Sequence, residues 1–122
     1  MGKTVLLIED EPNIIEAVRF ILSRDGWRVE THSDGATAMS AIQKIKPDVV
    51  ILDVMLPNRS GFDILQELRS AEETEALPVL MLTARGQTKD RELAEHYGAS
   101  RFMTKPFANS DVLNCVRELA GP

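Results

Sequence analysis

Two short stretches, Val49-Val50-Ile51-Leu52 and Val79-Leu80-Met81-Leu82, carry no polar side chain at all. Successive side chains of a strand point to opposite faces, so strands of this kind must be covered on both sides, as the central strands of parallel sheets are. Five β-branched or apolar runs recur along the chain: residues 4 to 8, 28 to 32, 48 to 52, 78 to 82 and 101 to 104. The second and fifth are the weakest and suit the edges of a sheet. Between the runs, apolar residues repeat at helical spacing: Ile14, Val18, Ile21 and Leu22; then Ala38, Ala41, Ile42 and Ile45. The same spacing gives Ile64, Leu65 and Leu68 within residues 61 to 70, and Val112, Val116 and Leu119 within residues 110 to 120. Residues 88 to 97 offer only Leu93, Ala94 and Tyr97, so the fourth helix is expected to be the most loosely held. Strand followed by helix, five times over, predicts an α/β fold: a five-stranded parallel sheet in a (βα)5 three-layer sandwich.

A chain of 122 residues, 43% hydrophobic and 27% charged, fits one core and one domain spanning residues 1–122. The closing Ala120-Gly121-Pro122 has the composition of a linker or a cut site. No apolar run approaches the roughly 20 residues that cross a bilayer, and the apolar stretch after Met1-Gly2-Lys3-Thr4 is too short for a secretory signal. A cytoplasmic protein without a membrane role is expected. Cys115 has no second cysteine to bond and lies in an apolar helical stretch, a core position. A net charge of -5 argues against direct nucleic-acid binding, which rests on clustered Lys and Arg.

Open parallel sheets bind ligands beyond the carboxyl ends of their strands, where the winding direction reverses. Here the first strand runs into Glu9-Asp10-Glu11, the third ends in Asp53, the fourth in Thr83-Ala84 and the fifth in Thr104-Lys105-Pro106. In a flavodoxin-like order, 2-1-3-4-5, the first and third strands are neighbours, so Glu9, Asp10 and Asp53 converge. Two carboxylates about 5 Å apart repel by roughly 3 kcal/mol at an effective dielectric near 20, and a cation relieves that repulsion. All-oxygen ligands of high negative charge suit Mg²⁺, with Mn²⁺ as an alternative, and disfavour zinc. A strand-end Asp53 beside such an ion is placed to act as a nucleophile toward phosphorus. Asp10 would share the ion, and Lys105 and the Thr83 hydroxyl would serve the remaining phosphoryl oxygens. Met singly, each residue has a plainer reading: a solvated acidic loop, an opener of the turn that includes Pro57, Asn58 and Gly61, a helix cap, a surface lysine. Their coincidence at one sheet edge favours the chemical reading.

The stretches VLLIEDE, DVVILDVMLPNRSGFDIL, PVLMLTA and FMTKPF, in that order, resemble the receiver domains of two-component response regulators over essentially the whole chain. The resemblance implies that Asp53 is the phosphorylation site and that Glu9 and Asp10 form the acidic pair. Glu9 stands where Asp is commoner and would reach the ion through water. The Met55 carbonyl would be a further metal ligand, Thr83 the switch hydroxyl and Lys105 the phosphate-binding lysine. Phe102 takes the place of the aromatic that turns inward with Thr83, often a Tyr. Lys105-Pro106 resembles the family's cis peptide, and Met55 and Arg85 would flank the water that hydrolyses the phosphoryl group. The implied function is a signalling switch, phosphorylated by a histidine kinase or histidine phosphotransfer protein, that alters its helix 4–strand 5–helix 5 surface. Such a domain is a phosphoacceptor with slow self-dephosphorylation rather than an enzyme turning over an external substrate. It would be a monomer or a weak phosphorylation-dependent dimer. The competing reading is a receiver-like docking module indifferent to phosphorylation. A phosphohydrolase of the haloacid dehalogenase type needs a second acid where Met55 stands, and a dinucleotide binder needs a Gly-rich loop after the first strand. His32 and His96 read as surface residues that lack the partners a metal or acid-base role requires, and Met55 and Met81 as space-filling.

Overall fold

The computed structural model describes residues 3–84 and 88–121; Arg85 and Pro122, on which two of the expectations fall, lie outside them. The two all-apolar runs become β3 (Val49–Asp53) and β4 (Val79–Thr83), flanked by β1 (Thr4–Ile8), β2 (Arg28–His32) and β5 (Arg101–Thr104). All pairings are parallel and the order is β2-β1-β3-β4-β5, as expected. Both central strands are buried at every position, whereas β2 and β5 are partly exposed along their length. β3 and β4 run one residue further than their apolar stretches, because Asp53 and Thr83 still pair in the sheet, with Leu82 and Thr104 respectively. Their side chains are thereby fixed at the rim by strand geometry rather than by loop conformation.

Helices α1 (Pro12–Arg24), α2 (Ala38–Ile45), α3 (Gly61–Ser70), α4 (Thr88–His96) and α5 (Asn109–Ala120) cover the sheet, and a 3-10 turn, Gly35–Thr37, leads into α2. The alternation of strand side chains sorts the core into two layers. Val5, Leu7, Val49, Ile51, Leu80 and Leu82 pack against Val18 and Leu22 of α1 and Val112, Cys115 and Val116 of α5. Leu6, Ile8, Val50, Leu52, Val79 and Met81 face the other helices through Ile42, Ile64, Leu65, Leu68 and Ala94. Burying a side chain of this size contributes about 1.5–3 kcal/mol, so the two layers carry the fold.

α4 is thinly anchored, as its sequence suggested: its buried residues are Ala94 and, unexpectedly, Asp90. Its carboxyl end is held better. Arg69 of α3 donates from Nε to the Gly98 carbonyl at 2.8 Å and from Nη1 to the Leu77 carbonyl at 2.7 Å. Gly98 has φ +95°, and a Cβ there would press on the Arg69 side chain, so the clamp requires glycine.

One expectation is corrected. Met55 does not fill space: it stands on the loop after β3 and is 58% exposed, whereas Met81 is buried. His32 Nε2 lies 2.7 Å from Thr37 Oγ1, a hydrogen bond that ties the end of β2 to the turn before α2.

Candidate functional site

At the carboxyl rim, β1 hands over to Glu9, whose backbone N–H still bonds across to the His32 carbonyl at 3.0 Å. The Glu9 side chain is fully buried. Its Oε2 accepts from the backbone N–H of Asp10 at 3.2 Å and of Glu11 at 3.1 Å, which fixes the turn before α1. Pro12 opens that helix, where a missing N–H is harmless. Asp53 ends β3 only 2% exposed, while Asp10 is open to solvent. One carboxylate oxygen from each of Glu9, Asp10 and Asp53 lies within 4.8 Å of the others, so the three predicted acids do converge.

The segment behind Asp53 is shaped by close approach. Gly61 donates its N–H to the Val54 carbonyl at 2.8 Å, and a Cβ on it would collide with the Asp53 carbonyl. Ser60 then caps α3, its Oγ accepting from Phe62 N at 3.1 Å and Asp63 N at 3.3 Å. The loop between is braced from the side: Asn58, at φ 69°, donates to Asp34 Oδ1 at 3.0 Å, and Gly35 N donates to the Pro57 carbonyl at 3.0 Å. The pairing of Asn58 with Asp34 was not picked out in the sequence, and no local pattern joins the two.

Lys105 enters from the loop after β5, its N–H bonded to the Thr83 carbonyl at 2.7 Å and its peptide to Pro106 cis. Its side chain is 9% exposed and its Nζ stands 2.9 Å from Glu9 Oε1, 3.3 Å from Asp53 Oδ1 and 3.3 Å from Glu11 Oε1. The directed hydrogen bond goes to Glu11. Glu9 Oε1 and Asp53 Oδ1 are buried, and the Lys105 ammonium, in ion-pair reach of both but poorly aligned to either, is their only partner among the described residues. Three carboxylates therefore share a single ammonium, and Asp10 adds a fourth negative charge to the rim. Burial, and then repulsion from Glu9, push the Asp53 carboxyl up from 3.8 to about 6, against the opposing pull of Lys105 and a backbone hydrogen bond from Met55. Burial also works against the Lys105 charge, but Glu9, Asp53 and Glu11 outweigh it and hold the ammonium above the usual lysine range.

Two orphaned buried carboxylate oxygens and a third exposed acid, all oxygen donors, suit a hard divalent cation. Their spread is comparable to the roughly 4 Å span of an octahedral shell with bonds near 2.1 Å.

Thr83 is buried at the end of β4, and its hydroxyl donates to Asp90 Oδ2 at 3.2 Å. The structure thus sets this hydroxyl against α4. Asp90, which lies among the charged Lys89, Arg91 and Glu92, was not singled out in the sequence. The available signal was spacing: Asp90 occupies the inward slot of the stripe continued by Leu93, Ala94 and Tyr97. Phe102 of β5 is half-buried against the α4-side core layer, with the Arg91 guanidinium 5.7 Å from its ring centroid.

Fold and site together define a class: a doubly wound α/β module whose switch point holds a carboxylate cluster and a lysine. Within that class, the chain belongs to the response regulator receiver domain family, which matches residues 5–117. Receiver domains are the phosphorylation switches of two-component systems. The chain is 44% identical over 116 residues to the "Probable transcriptional regulatory protein TcrX" of Mycobacterium tuberculosis, a match covering 95% of this chain and 49% of that one. It spans about half the length of the curated relatives it matches. Among solved structures it is similar to the BeF3-activated N-terminal receiver domain of Klebsiella pneumoniae RstA. Identity is 25% and the TM-score 0.90, with 98% of this chain and 100% of that one covered. The receiver domain of sensor histidine kinase PA1611 from Pseudomonas aeruginosa, solved with a magnesium ion in its active site cleft, is similar at 27% identity. Its TM-score is 0.90 with full coverage of both chains. Among the described residues, no helix is long and apolar enough to cross a membrane.

Proposed function

We propose that residues 1–122 act as one phosphoacceptor unit in which Asp53 accepts a phosphoryl group from phosphohistidine on a histidine kinase or histidine phosphotransfer protein. A carboxylate oxygen of Asp53 attacks phosphorus, the O–P bond of an acyl phosphate forms, and the N–P bond breaks with its electron pair leaving on the imidazole. The observation that carries this reading is the pair of buried, orphaned oxygens on Glu9 and Asp53 flanking one shared ammonium. Such charge is costly to maintain unless it serves a cation and an anion in turn. At neutral pH Asp53, with its carboxyl near 6, is mainly the carboxylate that attack requires.

Asp10, Asp53, the Met55 carbonyl and, through water, Glu9 would hold Mg²⁺ or Mn²⁺, whose charge offsets that of the incoming phosphoryl group. Lys105 is already within ion-pair reach of Asp53 and moves its charge onto a phosphoryl oxygen as Asp53 becomes an acyl phosphate. Thr83 supplies a hydroxyl donor to another oxygen. Its departure from α4, with repacking of Phe102, alters the α4–β5–α5 surface that a partner or a second copy reads. Met55 and Arg85 flank the water that slowly removes the phosphoryl group. The PA1611 receiver, with its magnesium ion, and the RstA receiver, described as BeF3-activated, support this chemistry by similarity.

The test is incubation with a small acyl phosphate donor and Mg²⁺ followed by intact mass measurement. The wild type gains one phosphoryl mass and Asp53→Asn gains none. A chain that gains no such mass, and whose affinity for its partner is unchanged by Asp53→Asn, is instead a docking module.

A further inference from the structure

The Thr83 hydroxyl and the Asp90 carboxylate are both buried, and the one donates to the other at 3.2 Å. A hydroxyl has a single proton, so it donates to one acceptor at a time. The proposed function asks the same proton to reach a phosphoryl oxygen on Asp53. The two hydrogen bonds exclude each other, and the one present is made to the first turn of α4.

Asp90 is also half of what α4 buries, the other buried residue being Ala94. The far end of this region is fastened independently, where Arg69 grips the Gly98 carbonyl beyond the helix. A carboxylate left in a buried slot without its donor is strongly disfavoured. When Thr83 turns away, Asp90 loses its donor in a slot only 9% exposed, which favours movement of the amino-terminal turn of α4 toward water about the clamped end.

Resting on the phosphoacceptor reading, we infer that Asp90 is a positioning residue: it holds the Thr83 hydroxyl on α4 in the unphosphorylated state, and phosphoryl binding at Asp53 must break this bond and release the first turn of α4. Asp90 then sets how strongly the resting state is preferred, and it links the chemistry at Asp53 to α4 without touching the phosphoryl group.

Two measurements on the whole chain test this. The first needs no phosphoryl mimic: a denaturant-unfolding cycle of Thr83→Val, Asp90→Asn and the double variant should show coupling, the second substitution costing clearly less once the first is made. Additive losses would overturn the inference whatever the chemistry at Asp53. The second is titration with beryllium trifluoride and Mg²⁺. Asp90→Ala should bind it roughly tenfold more tightly than the wild type, the size of one charge-assisted hydrogen bond. Asp90→Asn, which keeps an acceptor oxygen, should fall between, and in a Thr83→Ala background Asp90→Ala should change nothing. A merely structural Asp90 would leave affinity unchanged or lower it equally in both backgrounds, and that result overturns the inference. Failure of the wild type to bind the mimic while the unfolding cycle shows coupling would instead sink the phosphoacceptor reading, and with it the competition for Thr83.

Discussion

The Lys105 ammonium stands 3.3 Å from Asp53 Oδ1, and both groups are almost out of reach of solvent. Because the same ammonium is shared with Glu9 and Glu11, it is the main counterweight to the acidic rim. Lys105→Met keeps the apolar stem and deletes the charge. Removing one partner of a buried pair is expected to lower stability by about 2–4 kcal/mol without a divalent ion. Added Mg²⁺ should restore most of that loss, since an ion at the three acids replaces the missing charge. Denaturant unfolding with and without Mg²⁺ checks this; an equal deficit in both would show that Lys105 matters for packing rather than for charge.

Asp53 gives a pH signature of definite sign. Its folded carboxyl titrates near 6, above the unfolded 3.8, so the folded state binds the proton more tightly. The group therefore penalises folding above about pH 6, and the penalty fades as pH falls toward 4. A shift of about two units is worth up to roughly 3 kcal/mol. Without divalent ions, Asp53→Asn should be more stable than the wild type at pH 7 by about 1–3 kcal/mol, and the difference should shrink to about half a kcal/mol by pH 4. Asp25 and Asp34, whose carboxyls are held below the usual range by Arg117 and Asn58, act in the opposite direction but cancel between the two proteins. Unfolding curves at pH 4, 5, 6 and 7 measure the difference directly.

Much of this arrangement could be read from the chain. The apolar runs located the strands because burial on both faces leaves no room for polar residues, and the strand ends then placed Glu9, Asp10, Asp53, Thr83 and Lys105 on one rim. Asp90 escaped because a charge on a polar helix is ordinarily solvated, and only the tertiary placement of α4 shows that it turns inward. The sharing of Lys105 among three acids was equally hidden, since the reach of a lysine depends on where a loop delivers its Cα. Met55 was misjudged because its neighbours Val54 and Leu56 are apolar, yet the loop carries its side chain outward. The bonds from His32 to Thr37 and from Asn58 to Asp34 join loops whose relative placement only the folded sheet determines.

Gly61 sets how closely α3 approaches the end of β3. A methyl group there meets the Asp53 carbonyl, a backbone atom that cannot move aside without shifting the strand end. Gly61→Ala should destabilise the fold by about 1–3 kcal/mol, in the range of overpacked sites. It should also weaken Mg²⁺ binding beyond what stability loss explains, because the Asp53 and Met55 segment is displaced. Calorimetric Mg²⁺ titration at a temperature where the variant remains folded checks this; unaltered affinity would mean that the loop absorbs the methyl group elsewhere.

Asp10 separates the metal role from the structural one. Unlike Glu9 and Asp53 it is open to solvent, so its carboxylate adds repulsion to the cluster without supporting the fold. Asp10→Asn should therefore leave stability in the absence of divalent ions unchanged or raise it by a few tenths of a kcal/mol, the scale of exposed charge interactions. Its Mg²⁺ affinity should fall by about tenfold or more, because one anionic oxygen is lost from a site that has few. The stabilisation conferred by Mg²⁺ in the wild type should shrink in parallel, following the mass-action dependence on ligand concentration over Kd. If Asp10→Asn bound Mg²⁺ as well as the wild type, the ion would have to sit elsewhere, and the convergence of Glu9, Asp10 and Asp53 would need another explanation.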